Sequence, residues 1–573
     1  MGNSNHHEPT LSANHSLSPP AARGLRALWR TIERHPLLTV LFVAAFLAQA
    51  IPIWLIRILP QGDIYQHLAV AEIIHNYHTP GSIYPELFKL PDFIKPNLLY
   101  YYTVHWLALV LPTAVPLETA NKIFLTLYVL LVPLSLAYLL DSFGRPRRLA
   151  LFGFLFLFSG LFRTGFAGYL ISVPLLFFAL GLFYRFLRNG GVGRGFGVIA
   201  LACLIFLAHA QMYLLYMLLA GIMGLLLWAG LRRTFRNLLV PGASLILFVP
   251  WFIRFFLLYE DHDEVHTFAP PSEGFGAAYR PPSQTLERVF TYLLDYFRDS
   301  GDEVLLLLTL LCMAVGLMAR GQPEALQQTS RVAADKAHGR HWSARFLPEV
   351  LTIVVGATVF LLPVHIRNQA VISARHIPLF AIMLVTWMGW FRGRVLGVVF
   401  ALALGTLIIA QGVYVGNRFL AYDRELDDYP ALFDEMRPWS RLYKVSGSHL
   451  FSEVANGNVF WHLHYNFMLW HGGVTDVQFA EFVTCPVRYR PGKVPPTLPY
   501  EPGRSTRFHY YDYFLVQRSE LGRVESMRPW LRQISANRGW VLFERRERPF
   551  ERWWDLERLA PPERHRPGTD DSG

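Results

Sequence analysis

Long apolar runs separated by short, mostly basic connectors fill the chain up to residue 416, after which the runs shorten and begin to alternate. A helix needs about 20 apolar residues to cross the hydrocarbon core of a bilayer. Runs that reach or approach that length lie at 36–57, 119–140, 147–162, 169–188, 196–209, 212–230, 238–258, 303–319, 348–364, 377–391 and 395–416. They predict a polytopic α-helical membrane protein of about 11 transmembrane helices. A further apolar segment, LLYYYTVHWLALVLPTAV at 98–115, is cut short by Pro112 and followed by Pro116.

Beyond Asn417 the periodicity changes. RLYKVSG (441–447), YDYFLVQR (511–518) and GWVLFERR (539–546) have the alternating or continuously apolar character of strands, whereas 429–436 and 519–535 have that of helices. A small C-terminal α/β domain over 417–560 is expected. The polar residues 1–35 and the Pro- and charge-rich residues 561–573 are expected to be disordered tails.

Charge then sets which side each connector takes. If 98–115 does not cross, the basic clusters all share one side: the N-terminal Arg23, Arg26, Arg30 and Arg34, then Arg145–Arg148, Arg185–Arg194, Arg232–Arg236, the 320–345 connector, and Arg392 with Arg394. Positive residues mark the cytoplasmic side, so the N-terminus is expected inside and 98–115 is expected to be a re-entrant or interfacial helix. The outer face then receives the first external loop 58–118, the external loop 259–302, the short loop 365–376 and the C-terminal domain.

Composition agrees with this threading. Of 573 residues 53% are hydrophobic and 17% charged, and the mean hydropathy is +0.27. The net charge of +11 follows from topology: Lys and Arg form short clusters between apolar runs instead of one stripe, so no nucleic-acid partner is expected. Cys485 is the only cysteine of the C-terminal part, which excludes a disulfide within it. No internal repeat marks the two halves of a secondary transporter.

The first external loop opens with PQGDIYQH, which places Asp63 just past the first span. Asp63 suits the N-cap of a helix running to about Asn76, with Gln66 completing a capping box. Helical spacing also sets His67 on the same face one turn later, where the pair suits an acceptor hydroxyl; two side chains alone make no metal site. Arg375, in the external SARHIPLFAIML at 373–384, is either an interfacial anchor or a phosphate ligand, and Arg163 and Arg367 share the second possibility. His209, in FLAHAQMYLLY, is an ionisable group at the outer end of an apolar span; with Gln211 it could equally satisfy a helix-to-helix hydrogen bond. The run YEDHDEVH (259–266) offers Asp261 and Asp263 to Mg²⁺ or Mn²⁺, or is a solvated loop. VFWHLHYNFMLWHGGV (459–474) is either a sugar-stacking surface or a core patch.

An inward N-terminus, a large external loop opening with an acid and an interfacial helix, the Pro-plus-aromatic KPNLLYYY and an external C-terminal α/β domain together resemble the GT-C glycosyltransferase superfamily. The resemblance implies a GT-C-like fold, a polyprenyl-phosphate sugar donor and an envelope glycan, lipid or protein acceptor, handled at the outer face of a bacterial cytoplasmic membrane. By position, Asp63 in QGDIYQH matches the superfamily's catalytic acid, and Arg375 matches the Arg presented to the lipid phosphate. One departure is plain: many relatives carry a second acid in the next external loop, and FRTGFAGYL (162–170) has none. The alternative is a flippase or scaffold for a lipid-linked envelope precursor, in which Asp63 only caps its helix.

Overall fold

The computed structural model describes residues 36–111, 115–227, 230–254, 277–320, 341–366, 371–391, 393–445, 451–476, 479–481, 485–496, 498 and 506–546. Among them five helices are long and apolar enough to cross a membrane: Pro36–Leu55, Leu117–Ser142, Ala167–Asn189, Gly301–Ala319 and the helix beginning at Arg394. Leu231–Gly242 and Leu245–Phe252, which meet at 66°, form a sixth if taken as one bent span. Shorter apolar helices occupy Leu98–Val110, Val192–Ala208, Ala210–Leu226, Phe346–Leu361 and His376–Trp387. The expected passage at 147–162 still runs from beside Asp141 to beside Gly62, not as one α-helix but as a 3₁₀ run, Arg147–Phe156, followed by a short α-helix, Gly160–Thr164.

The first span packs along Arg394–Leu426 through a stripe of small residues. A Cβ on Gly405 would come within 2.7 Å of Leu41, and one on Gly416 within 3.2 Å of Leu55, so the glycines let the helices approach closely. Gly412 faces Ala48 between those contacts. The order of contacts, 41 to 405, 48 to 412 and 55 to 416, makes the two helices parallel. The start of the first span and the C-terminal segment therefore lie at opposite ends of the bundle.

The same reasoning settles 98–110. Lys122 Nζ donates to Ile56 O at 2.6 Å, and Arg57 pairs with Glu118 at 3.5 Å. Leu117–Ser142 thus starts at the end where Pro36–Leu55 finishes. Between them, Ile64–His75 and Leu98–Val110 lie side by side, with Tyr101 Oη 2.7 Å from His67 Nδ1 and the rings of His75 and His105 5.2 Å apart. The segment between the two spans, which contains Leu98–Val110, thus begins and finishes at one end of the bundle.

Among the described residues there are nine short strands: β1 (Phe88–Lys89), β2 (Ala277–Ala278), β3 (His365–Ile366), β4 (Arg441–Val445), β5 (Val474–Thr475), β6 (Arg488–Tyr489), β7 (Tyr513–Gln517), β8 (Leu531–Ala536) and β9 (Trp540–Arg545). Five form one sheet in the order β5-β4-β7-β9-β8, with β4 parallel to both neighbours and β7, β9 and β8 antiparallel. The expected strands at 441–447, 511–518 and 539–546 are β4, β7 and β9. The expected helices at 429–436 and 519–535 are 3₁₀ helices, Tyr429–Phe433 and Arg518–Trp530.

Alternation in these strands has a structural meaning. Tyr513, Leu515, Trp540 and Leu542 face the core shared with the bundle, while Phe514, Val516, Val541 and Phe543 face a second, smaller core. The sheet is built onto the bundle by one face. Further stitching comes from β1 pairing with β6, where Phe88 stacks on Tyr489 at 4.5 Å, and from Trp470, whose Nε1 donates to Glu118 at 2.6 Å beneath Arg57.

Candidate active site

The turn that carries Asp63 is strung on a neighbouring backbone. Gly62 N donates to Arg163 O and Asp63 N to Thr164 O, both at 2.8 Å, and Gln61 Nε2 donates to Phe162 O at 2.7 Å. Gly165, at φ +81°, closes this clasp: a Cβ there would lie 2.6 Å from Ile64 N, and the positive φ suits glycine. Asp63 occupies the N-cap position of Ile64–His75, yet its side chain makes no capping hydrogen bond. The expected capping box is absent because both side chains are engaged elsewhere: Asp63 Oδ1 lies 3.4 Å from His462 Nε2, and the Gln66 amide is turned to His462 and Tyr465.

Arg375 reaches the same place from the far side of the bundle. It precedes the helix His376–Leu384, and its guanidinium lies 4.5 Å from the Phe166 ring centre. Tyr169 Oη donates to the Arg375 carbonyl. His209 sits in an extended break between Val192–Ala208 and Ala210–Leu226, and its Nε2 is 2.9 Å from an Arg375 terminal nitrogen. Gln211 Nε2 approaches Ile372 O and His376 Nε2, each at 2.8 Å. His209 thus pairs with the arginine, and Gln211 makes the hydrogen bonds between helices.

Asp63 keeps 29% of its side-chain surface open, enough for a substrate atom to reach it. Burial by the surrounding protein raises its pKa from the usual carboxylate range to about 7, against the opposing pull of the Arg375 charge. The carboxyl is thereby poised to exchange a proton near neutrality. The imidazole of His67, against Tyr101 and 4.8 Å from the Phe479 ring, borders it.

Of the residues singled out in the sequence, Asp63, His67, His209 and Arg375 converge. Arg163 shares the backbone clasp, but its side chain turns toward Gly457 and is under the field of Asp295, Tyr292 and Tyr296. Arg367, Asp261 and Asp263 lie outside the described residues, as do the tails 1–35 and 561–573. Among the described residues no three His, Cys, Asp or Glu side chains are grouped to hold a metal ion. His462 is the residue that sequence reasoning did not assign to the site. Its only local signal was the His-rich WHLHY stretch.

No family model and no curated protein matches the chain. Solved structures do. Arabinofuranosyltransferase AftD from Mycobacteria is 12% identical with a TM-score of 0.48, over 89% of this chain and 40% of that one. ArnT from Cupriavidus metallidurans bound to undecaprenyl phosphate is 12% identical with a TM-score of 0.45, over 88% of this chain and 97% of that one. Apo ArnT gives 13% and 0.45. The chain spans 40% of the length of AftD. The likeness to AftD and ArnT is one of structure alone. At these identities and TM-scores it carries no functional argument, which rests on the side chains.

Proposed function

We propose that the chain is an integral membrane glycosyltransferase of the GT-C type, moving a sugar from a polyprenyl-phosphate donor to a hydroxyl of an envelope glycan, lipid or protein. The observation that carries this reading is the convergence of a proton-poised carboxyl, Asp63, with a guanidinium, Arg375, under each other's field at one end of an apolar bundle. Asp63 takes the acceptor proton as the hydroxyl oxygen attacks the anomeric carbon from the face opposite the phosphate. The bond from that carbon to the phosphate oxygen breaks, its electron pair leaves with the phosphate, and the sugar inverts. Arg375 stabilises the charge developing on the leaving phosphate.

In this reading the N-terminus is cytoplasmic, the chain makes eleven passages, and the C-terminal α/β domain, 417–560, lies on the outer face of a bacterial cytoplasmic membrane with the site. The first and last spans support the parity: they run parallel, as the first and last of an odd number of passages must. His67 and His209 border the acceptor and the phosphate respectively. Arg367 remains a further phosphate ligand in the proposal, and Asp261 with Asp263 the candidates for Mg²⁺ or Mn²⁺; the Arg163 side chain points elsewhere.

The test is mass spectrometry of envelope lipids and glycans from cells with the wild-type protein, no protein, or Asp63→Asn at matched expression. Loss of the same sugar and build-up of the same lipid-linked precursor in the last two is expected, and the lost mass identifies the donor. A defect confined to the cells without protein contradicts the mechanism and leaves a carrier or scaffold.

A further inference from the structure

Asp63 Oδ1 faces one ring nitrogen of His462, Nε2, at 3.4 Å. What that nitrogen offers depends on the other one. Gln66 Nε2 lies 2.9 Å from His462 Nδ1 and 3.0 Å from Tyr465 Oη, and Tyr465 Oη donates its single proton to Asp476 O at 3.1 Å. A hydroxyl that has given its proton away can only accept from Gln66, which fixes the amide with its NH₂ toward Tyr465 and His462. The second amide proton then goes to His462 Nδ1, which must be bare. Burial, with His464 and Lys444 nearby, holds the imidazole well below its usual pKa and therefore neutral, so its one proton sits on Nε2.

The loop that carries His462 is itself held. Lys444 Nζ, from β4 in the sheet, donates to Phe460 O at 3.0 Å and Trp461 O at 2.6 Å. Burial brings this lysine down to about 7, a cost that the two carbonyls help to offset.

We propose that His462 is a positioning residue for Asp63, its Nε2–H aimed at Oδ1 by a relay running Tyr465, Gln66, His462, so that the sheet-bearing C-terminal segment completes the site. The proposal rests on Asp63 being the base and extends that reading. A donor on Oδ1 favours the ionised carboxylate against its burial and leaves Oδ2 for the acceptor hydroxyl. The tautomer matters as much as the distance: a ring protonated on Nδ1 would turn a lone pair toward the carboxylate.

Two experiments on the full chain test it. In cells lacking the native protein, wild type, Asp63→Asn, His462→Ala, His462→Gln and Gln66→Leu are induced to equal membrane levels, and the rate at which the protein-dependent glycan appears is followed by mass spectrometry. His462→Ala should be slower by about 10–100-fold, the size of one charge-assisted hydrogen bond. His462→Gln should recover most of that rate, because its amide N–H stands where the ring Nε2–H stood, and Gln66→Leu should fall between them. Wild-type rates for His462→Ala and Gln66→Leu beside a silent Asp63→Asn overturn the inference and leave the transferase reading intact. An active Asp63→Asn overturns that reading instead. Independently of turnover, nitrogen NMR of histidine-labelled protein in detergent, with the His462 signal assigned by its loss in His462→Ala, should show a bare Nδ1 and a protonated Nε2. The opposite tautomer contradicts the relay whatever the rates.

Discussion

Asp63 and Arg375 are partnered differently from the charged side chains at the other end of the bundle. Leu117–Ser142, 26 residues long, spans about 39 Å at 1.5 Å per residue, and its last turn lies at the end remote from Asp63. There acid meets base directly. Arg145 and Arg320 converge on Glu349 at 2.6 and 2.5 Å, and Arg147 and Arg185 on Asp141 at 2.6 and 2.5 Å. At the site end Arg57 still pairs with Glu118, but the side chains facing Asp63 and Arg375 are imidazoles, His462 and His209. An imidazole offers a ring nitrogen and a direction without an opposite formal charge when it is neutral. Pairing acid with base locks the bundle; in the proposed reaction an imidazole partner leaves the charge of Asp63 or Arg375 available to a substrate.

That contrast can be broken at its strong point first. Asp63→Asn should lower transfer by about 10²–10⁴-fold, the contribution of a positioned general base, with protein levels unchanged by immunoblot. Arg375→Ala should cost about 10²–10³-fold in the same assay. Arg375→Lys should recover only part, since an ammonium lacks the fork that grips a phosphate.

The pH profile sharpens the comparison. Below about 7 Asp63 holds its proton and cannot accept another, so the transfer rate should rise with pH, about tenfold per unit, and level off above that value. Arg375 pulls the pKa of this carboxyl down, Tyr101 lies in its field, and His462 Nε2 faces its Oδ1. If His462 donates to Oδ1, as we infer, His462→Ala removes a group that favours the carboxylate and should move the midpoint upward, seen as a rate profile displaced to higher pH. Glu349→Gln, at the other end, should leave turnover per molecule unaltered. It should lower thermal stability in detergent by about 1–3 kcal/mol, because Arg320 is partly exposed and its pairing is screened.

Much of the fold is legible along the chain. β7 and β9 are visible as short, nearly continuous apolar runs because both faces of their sheet are buried, and Asp63 stands out as an acid directly past the first apolar run. Each of Asp63, Arg375 and His209 can be singled out locally. Their meeting cannot be: Gln66 and His462 are 396 positions apart, and no periodicity links them. The capping box shows the limit from the other side. Its spacing is present, yet the Gln66 amide gains two tertiary partners and Asp63 gains an imidazole, and tertiary contacts override the local preference. Arg163 shares the turn beside Asp63 through its backbone, but its side chain lies against Gly457 in the field of Asp295.

A carrier and a transferase differ in one product. Purified full-length protein in membrane vesicles made from the lipids of the deletion strain, supplied with that strain's water-washed envelope fraction as acceptor, should release free polyprenyl phosphate, measured by mass spectrometry, and Asp63→Asn should leave the lipid-linked sugar intact. Equal amounts of intact lipid-linked sugar with the wild type, the variant and no protein would contradict a reaction at Asp63.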